Sequence, residues 1–258
     1  MPITTPFGAW KSPISPEMLA GKQISFSSLT ADGDDVYWTE FRPAEALRVA
    51  IMRWRDGVIT EVAPDFNART LVHEYGGASV AVDRGRIVGS SFEDQRIYRL
   101  DGFARVPITP EPPEPRAWRY ADTVFRGDWL ISVREDHTAA GEARNELVMI
   151  DVAGNEEPIV IATGADFYSS PRVDPEGNRL AWLAWDHPNM PWDDTQLWVA
   201  NLSNDGVSDA RQIATDGEAF FQPEWAPDGT LHVVSDRSGW WNLYRVDGDR
   251  LDAVDAVD

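Results

Sequence analysis

The 258-residue sequence contains no cysteine, which excludes disulfides and thiol catalysis and suits a reducing compartment. Positive charge is scarce. Twenty-three Lys and Arg stand against 43 Asp and Glu, a net charge of −20, and the resulting field repels nucleic acid and anionic lipid headgroups, so neither is expected as a partner. No apolar run reaches the roughly 18 residues of a membrane span. The opening MPITTPFGAWKSPISPEM has no basic start followed by an apolar stretch, so no secretory signal is expected and the location expected is the cytoplasm. No segment carries a long helical stripe. What is present is 43% hydrophobic residues and 12 tryptophans, a composition suited to packed β surfaces.

Internal repetition organises the chain. Pro171-Arg172-Val173-Asp174-Pro175-Glu176-Gly177 returns as Pro223-Glu224-Trp225-Ala226-Pro227-Asp228-Gly229, 52 residues on, each time followed by a β-type run. An alternating strand ending in a turn appears as RVAIMRWRDG (48–57), RIYRLDG (96–102), ELVMIDVAG (146–154), QLWVANLSNDG (196–206) and NLYRVDG (242–248), at a period of roughly 50 residues. Period-2 alternation and glycine-centred turns make each unit four short strands. The spacing predicts an all-β chain, a β-propeller of about five blades at 23–63, 73–109, 117–162, 166–214 and 219–258, after an N-terminal extension at 1–22. The proline-rich stretch 107–115 reads as a stiff connector.

Strand parity separates two ends of such a ring. Turns after the first and third strands are tight dipeptides such as Asp32-Gly33, Asp56-Gly57 and Asp228-Gly229, with a structural job. Loops after the second strands are elaborated: EFRPAEALR (40–48), REDHTAAGEARN (134–145), WDHPNMPWDD (185–194) and SDRSGW (235–240). Function concentrates in loops of this kind, which makes Asp136, His137, Asp186, His187, Trp192, Asp236 and Arg237 candidates. The recurring Asp94, Asp136, Asp186 and Asp236 also suit hairpin caps. Tyr75, Tyr120, Tyr168 and Phe220 recur where each innermost strand begins, to line the mouth of the central channel or to pack between blades. Glu74 and Asp122 beside them present charge toward a peptide.

Complete catalytic constellations are missing. Gly77-Ala78-Ser79-Val80-Ala81 resembles a nucleophile elbow but ends in alanine and is flanked by strand on both sides. The histidines are four, His73, His137, His187 and His232. His73-Glu74 lacks the second histidine of a zinc helix, and the acidic turns do not follow calcium-loop order. No metal, no cofactor and no catalytic residue is expected. A carboxylate pair of glycosidase type carries no weight among 43 acids.

The segments HEYGG (73–77), SFEDQRIYR (91–99), REDH (134–137), 164–202 with its WDHPNMPWDD loop and FQPEWAPDGTLHVVSDRSGWWNLYRV (221–246) resemble the N-terminal propeller of prolyl oligopeptidase-type serine peptidases, in the bacterial group of dipeptidyl aminopeptidases and acylaminoacyl peptidases. The likeness extends to PFGAWKSPI (6–14) and so to essentially the whole chain. It implies a propeller that filters short peptides for a C-terminal α/β-hydrolase domain holding the Ser, Asp and His of the triad. No position of this chain matches those three. The expectation is therefore an incomplete, open propeller whose hydrolase half is absent and which is inactive alone, with that hydrolase domain and short peptides as partners. The fifth blade is expected to lack its outer strand, leaving edges that self-associate. The alternative is a self-contained ring serving as a binding module or a glycosidase.

Overall fold

The computed structural model describes residues 4–9, 12–15, 18, 23–213 and 217–255. Among these residues twenty strands form five separate four-stranded antiparallel sheets, each in sequential order. The first blade comprises β1 (Ser25–Asp32), β2 (Asp35–Arg42), β3 (Arg48–Arg55) and β4 (Val58–Glu61). In the second are β5 (Val80–Asp83), β6 (Arg86–Ser90), β7 (Ile97–Asp101) and β8 (Ala104–Pro107). The third is β9 (Trp118–Arg126), β10 (Trp129–Asp136), β11 (Arg144–Asp151) and β12 (Ile159–Thr163). The fourth is β13 (Phe167–Val173), β14 (Arg179–Trp185), β15 (Gln196–Ser203) and β16 (Gly206–Ile213). The fifth is β17 (Phe220–Trp225), β18 (Leu231–Ser235), β19 (Asn242–Asp247) and β20 (Arg250–Ala253).

The repeated Pro-Glu-Gly and Pro-Asp-Gly segments close the first hairpins of blades four and five, with Gly177 and Gly229 in the left-handed region at φ +76° and +82°, where a side chain is strained. Asp174 locks the first of these turns. Its Oδ1 accepts the N–H of Asn178 (2.7 Å) and Arg179 (2.9 Å) and its Oδ2 the Arg179 guanidinium (3.0 Å). Burial opposes ionisation of Asp174, but these donors together hold its carboxyl below the usual range.

Alternation buries both faces of the inner blades. Tyr37 and Ile51 meet Ile87 and Leu100 between blades one and two, and Val88 and Ile97 meet Leu130 and Val148 between two and three. Ile131, Leu147 and Met149 meet Leu180 and Trp182 between three and four, and Leu183 and Leu197 meet Val233 and Tyr244 between four and five. The innermost strands touch in the series β1, β5, β9, β13, β17. Among the described residues no comparable contact returns from β17 to β1. A central cavity of about 380 Å³ is lined from all five blades, by Leu29, Val80, Asp122, Ser170 and Glu224 among others.

Four of the innermost strands are broken by a bulge. Register shifts fall in β1, β9, β13 and β17, where Ser28, Asp122, Ser170 and Gln222 take left-handed φ values of 54°, 53°, 52° and 49°. A bulge inserts one residue and so reverses the facing of every later residue in its strand.

Two expectations are corrected. The fifth blade has its outer strand, because Asp247-Gly248 turns the chain into Arg250–Ala253, which pairs along β19. Residues 73–79 are not part of the second blade's sheet, which begins at Val80; they form a strap across its end. β16 starts at Gly206, and the end expected for blade four, Ala214, lies outside the described residues, as do half of the extension at 1–22 and the last three residues.

Candidate functional site

The site is built on the strap, which leads from β4 to β5. Its turn is closed by Glu74 N–H donating to the Leu71 carbonyl (3.0 Å) and Gly76 N–H to that of Val72 (2.8 Å). His73 and Glu74 both take left-handed φ values, 53° and 64°, an unfavourable pair for residues with a Cβ. The third and fourth blades hold them there. The His73 N–H donates to Glu135 Oε1 (3.0 Å). Arg119 Nη1 donates to the Leu71 carbonyl (2.9 Å), Glu74 Oε1 (2.7 Å) and Glu135 Oε2 (3.2 Å). The His73 ring lies within a box of Tyr75, Phe167 and Trp185, at centroid distances of 5.7, 5.3 and 5.4 Å. Phe167 stacks on Trp185 and touches the His187 ring at 4.8 Å.

Glu74 is 80% exposed at its side chain and Tyr75 is 66% exposed, so the strap presents a carboxylate and a phenol to solvent. The Arg119 guanidinium holds the Glu74 carboxyl below its usual range. Burial, then the nearby Asp122 and Glu135 carboxylates, push the Tyr75 hydroxyl up. Burial also depresses His73, against the pull of the Glu135 and Asp122 carboxylates and of the Asn145 side chain beside it. The unfolded chain therefore takes up a proton at His73 more readily than the folded one. Stability is expected to fall as pH drops below the unfolded value of 6.5. Chemical denaturation at pH 8 and pH 5 should show a smaller loss in His73→Phe than in the parent chain.

Glu74, Glu135 and His137 bring ligand atoms within 4.8 Å of one another, a spacing at which a cation could bind. Arg119 already places its charge there, and His137 Nε2 lies 2.8 Å from Glu135 Oε2. A metal ion would have to displace that guanidinium, so the group fits an ion-pair network better than a metal centre.

Of the residues expected to face the channel, Glu74 and Tyr75 are exposed on the strap and are not among the residues that line the cavity. Asp122 lines the cavity, but its oxygens are engaged, Oδ1 accepting the Ala78 N–H (2.8 Å) and Oδ2 the Ser170 N–H (3.0 Å). It thereby ties the strap to blades three and four. A Cβ on Gly77 would lie 2.9 Å from Asp122 Oδ1 and 3.0 Å from the Ala121 Cβ. Gly77→Ala is accordingly expected to cost about 1–3 kcal/mol, read as a lower denaturation midpoint.

Tyr120, Tyr168 and Phe220 do not reach the channel; they are buried between blades. Each stands before the bulge of its strand, on the face that packs against a neighbouring sheet. Among the loop candidates, Asp136 caps its own turn, accepting the Thr138 N–H (2.9 Å) and hydroxyl (2.7 Å) and pairing with Arg144. Asp94 caps likewise, accepting the Arg96 N–H (3.2 Å). Asp186 and Asp236 instead tie the entry of their blades, accepting the N–H groups of Asp166 and Ala219 (both 2.8 Å). His187 donates its N–H to Asp166 (2.9 Å), with its ring Nδ1 at 3.0 Å from the same oxygen. Trp192 is exposed, and Arg237 lies over the Tyr244 ring at 5.8 Å with Nε 3.7 Å from the buried Glu218. Ser79 is buried with its hydroxyl donated to the Ala68 carbonyl (2.6 Å).

Sequence reasoning missed Arg119, Glu135, Phe167 and Trp185 as site residues, and gave His73 no role beyond its place in the HEYGG segment. A signal existed for Glu135, since Glu135 and His137 alternate onto one side of a strand. Nothing local pointed to the aromatic pair, which the strap reaches across two blades.

No protein-family model matches the chain, and neither does any curated protein. Solved structures do match. A puromycin-hydrolysing peptidase of Mycobacterium tuberculosis is 36% identical over 98% of this chain, with a TM-score of 0.86. A puromycin hydrolase is 34% identical over 97%, with a TM-score of 0.85. A prolyl endopeptidase shares the fold at 12% identity and a TM-score of 0.62 over 90% of the chain. The chain spans 42% of the length of the two puromycin-hydrolysing relatives. With five propeller blades matched along nearly all their length, the chain belongs to the prolyl oligopeptidase-type peptidases, as a propeller part of them.

Proposed function

We propose that this chain is the substrate-filtering propeller portion of a cytoplasmic serine peptidase of dipeptidyl aminopeptidase or acylaminoacyl peptidase type. Catalysis, by nucleophilic acyl transfer through an acyl-enzyme, belongs to an α/β-hydrolase domain outside these 258 residues. The observation that carries the reading is the whole-length match to two puromycin-hydrolysing enzymes. The strap supports it: it carries the exposed Glu74 and Tyr75, and its Ala78 lines the cavity formed by all five blades. Among the described residues no helix is long and apolar enough to cross a membrane.

In this reading short peptides enter past the strap, and the Glu74 carboxylate and the Tyr75 ring meet a cationic group such as a free amino terminus. Calorimetric titration of the chain with a short peptide bearing a free amino terminus should give weak binding. Glu74→Gln should reduce the affinity about two- to fivefold, the loss of one exposed charge contact of about 0.5–1 kcal/mol. N-acetylation of the peptide should have the same effect, and affinity unchanged by both alterations would remove Glu74 from the filter.

A further inference from the structure

Phe92, in the loop between β6 and β7, carries two guanidinium groups on one ring. The Cζ of Arg69 lies 5.0 Å from the ring centroid and that of Arg116 5.1 Å. All three residues are half-buried. In a chain with 43 acids a carboxylate partner is the usual arrangement, and Arg86, Arg99 and Arg119 of the same two blades each have one. Among the described residues neither Arg69 nor Arg116 has a carboxylate within ion-pair distance. Arg96 and Arg105 also lack one, but they donate their terminal amino groups to the Thr109 and Pro64 carbonyls. Arg116 donates only its Nε, to the Glu93 carbonyl (2.9 Å), and the Arg69 guanidinium rests on the ring alone. The Glu93 carboxylate instead accepts the Ser91 hydroxyl (3.0 Å). A ring face attracts a cation without neutralising it, so two like charges remain uncompensated and partly out of water.

A buried residue fixes this arrangement. Gln95 is fully buried; its Oε1 accepts the Leu71 N–H (2.7 Å), and its Nε2 reaches the carbonyls of Phe92 (3.2 Å) and Arg69 (3.4 Å). The Phe92 N–H donates to the Asn67 carbonyl (2.9 Å). Arg116 itself is held at a left-handed φ of 62°, a cost that surrounding structure must impose. Leu71 joins the group to the strap, because Arg119 Nη1 donates to both the Leu71 carbonyl and Glu74.

We propose that Arg69 and Arg116, on the Phe92 ring, form a binding site for a peptide carboxylate. Each guanidinium keeps both terminal amino groups for an acceptor, and that planar fork matches the two oxygens of a carboxylate. The net charge of −20 opposes every further negative charge brought up to the protein, which favours a single carboxylate over a phosphate or a polyanion. The carboxylate site stands on these residues alone; only the peptide as its bearer rests on the filter reading.

Calorimetric titration of the purified chain with three N-acetylated dipeptides tests this. Acetyl-Ala-Ala carries a terminal carboxylate, its terminal amide carries none, and acetyl-Asp-Ala amide carries one on a side chain. At least one acid is expected to bind about five- to tenfold more tightly than the neutral amide, by an advantage that shrinks with added salt. The tighter of the two acids identifies the terminal or the side-chain group as the source. Arg69→Gln and Arg116→Gln should each reduce the advantage about two- to fivefold, and the double variant should abolish it, with circular dichroism showing that the variants fold. Equal binding of both acids and the neutral amide to the parent chain, a comparison that needs no variant, would overturn the proposal. So would a preference for the acid that survives in the folded double variant. No probe has an amino group, so failure here leaves the Glu74 contact standing, and failure of that contact leaves the acid preference standing.

Discussion

Glu146→Ala is expected to lower stability by about 3–5 kcal/mol, enough to unfold much of the population of a marginally stable domain. Glu146 lies in β11 with its side chain 4% exposed, opposite Arg134 in β10. Its Oε2 accepts both Nε (3.0 Å) and Nη2 (2.5 Å) of Arg134, and its Oε1 lies 2.8 Å from Arg144 Nε. Burial works against the charge on Arg134, but Glu146 overcomes it and holds the guanidinium above its usual value. Without Glu146 the buried Arg134 is left with the face of Trp118, at 5.6 Å, and the Tyr120 hydroxyl, and neither replaces a carboxylate. The pair itself need not be stabilising: an Arg134→Met, Glu146→Leu double variant should fall well short of the single loss. Urea denaturation of the three variants checks this. A Glu146→Ala midpoint within error of the parent would show that the pair is hydrated in solution.

The second large effect belongs to Asp122. Asp122→Ala leaves the Ala78 and Ser170 N–H groups without their acceptor and should cost about 2–4 kcal/mol, given about 1.5–3 kcal/mol for a hydrogen bond to a charged group and partial recovery by water. Asp122→Asn is the sharper probe. Asparagine tolerates the left-handed conformation found here, φ 53°, and has the same shape, but one of its two terminal atoms is a donor and must face an N–H. One tie is kept and one lost. Hydrogen exchange should quicken at both amides in the alanine variant and mainly at one of them in the asparagine variant. Equal protection in all three proteins would remove Asp122 as the tie between blades.

The same residue shows where a linear reading of this fold stops. The repeated turn segments and their spacing carry the blades, because a Gly-centred hairpin and a period of two are local properties. Five four-stranded sheets follow from them, and so does the family, through long loops that no generic turn resembles. The innermost strands are different. Ser28, Asp122, Ser170 and Gln222 are bulge residues, and nothing in their own identity announces the extra residue. Once a bulge intervenes, alternation counted from one end of the strand assigns the wrong face. Tyr120, Tyr168 and Phe220 precede the bulges, and their recurrence marks a strand start without saying which neighbour they face. The strap was illegible for another reason. His73 reaches Glu135, Phe167 and Trp185, contacts 62 or more positions away in sequence, and only the ring of blades brings them together. The aspartates after the second strands were legible as caps because Asx capping is a local geometry. Even there the chain divides them, Asp94 and Asp136 serving their own turns and Asp186 and Asp236 reaching back to the start of the blade.

The measurement that bears most directly on the central claim is hydrolysis of puromycin, the activity named for two relatives, by the purified 258-residue chain, with an aminoacyl chromogenic amide in parallel. A propeller that filters substrate for a separate hydrolase domain should release no product above the buffer rate from either compound, and should support turnover only when joined to such a domain. Turnover by the chain alone, abolished by a substitution within it, would place a complete catalytic centre among these residues and contradict the account.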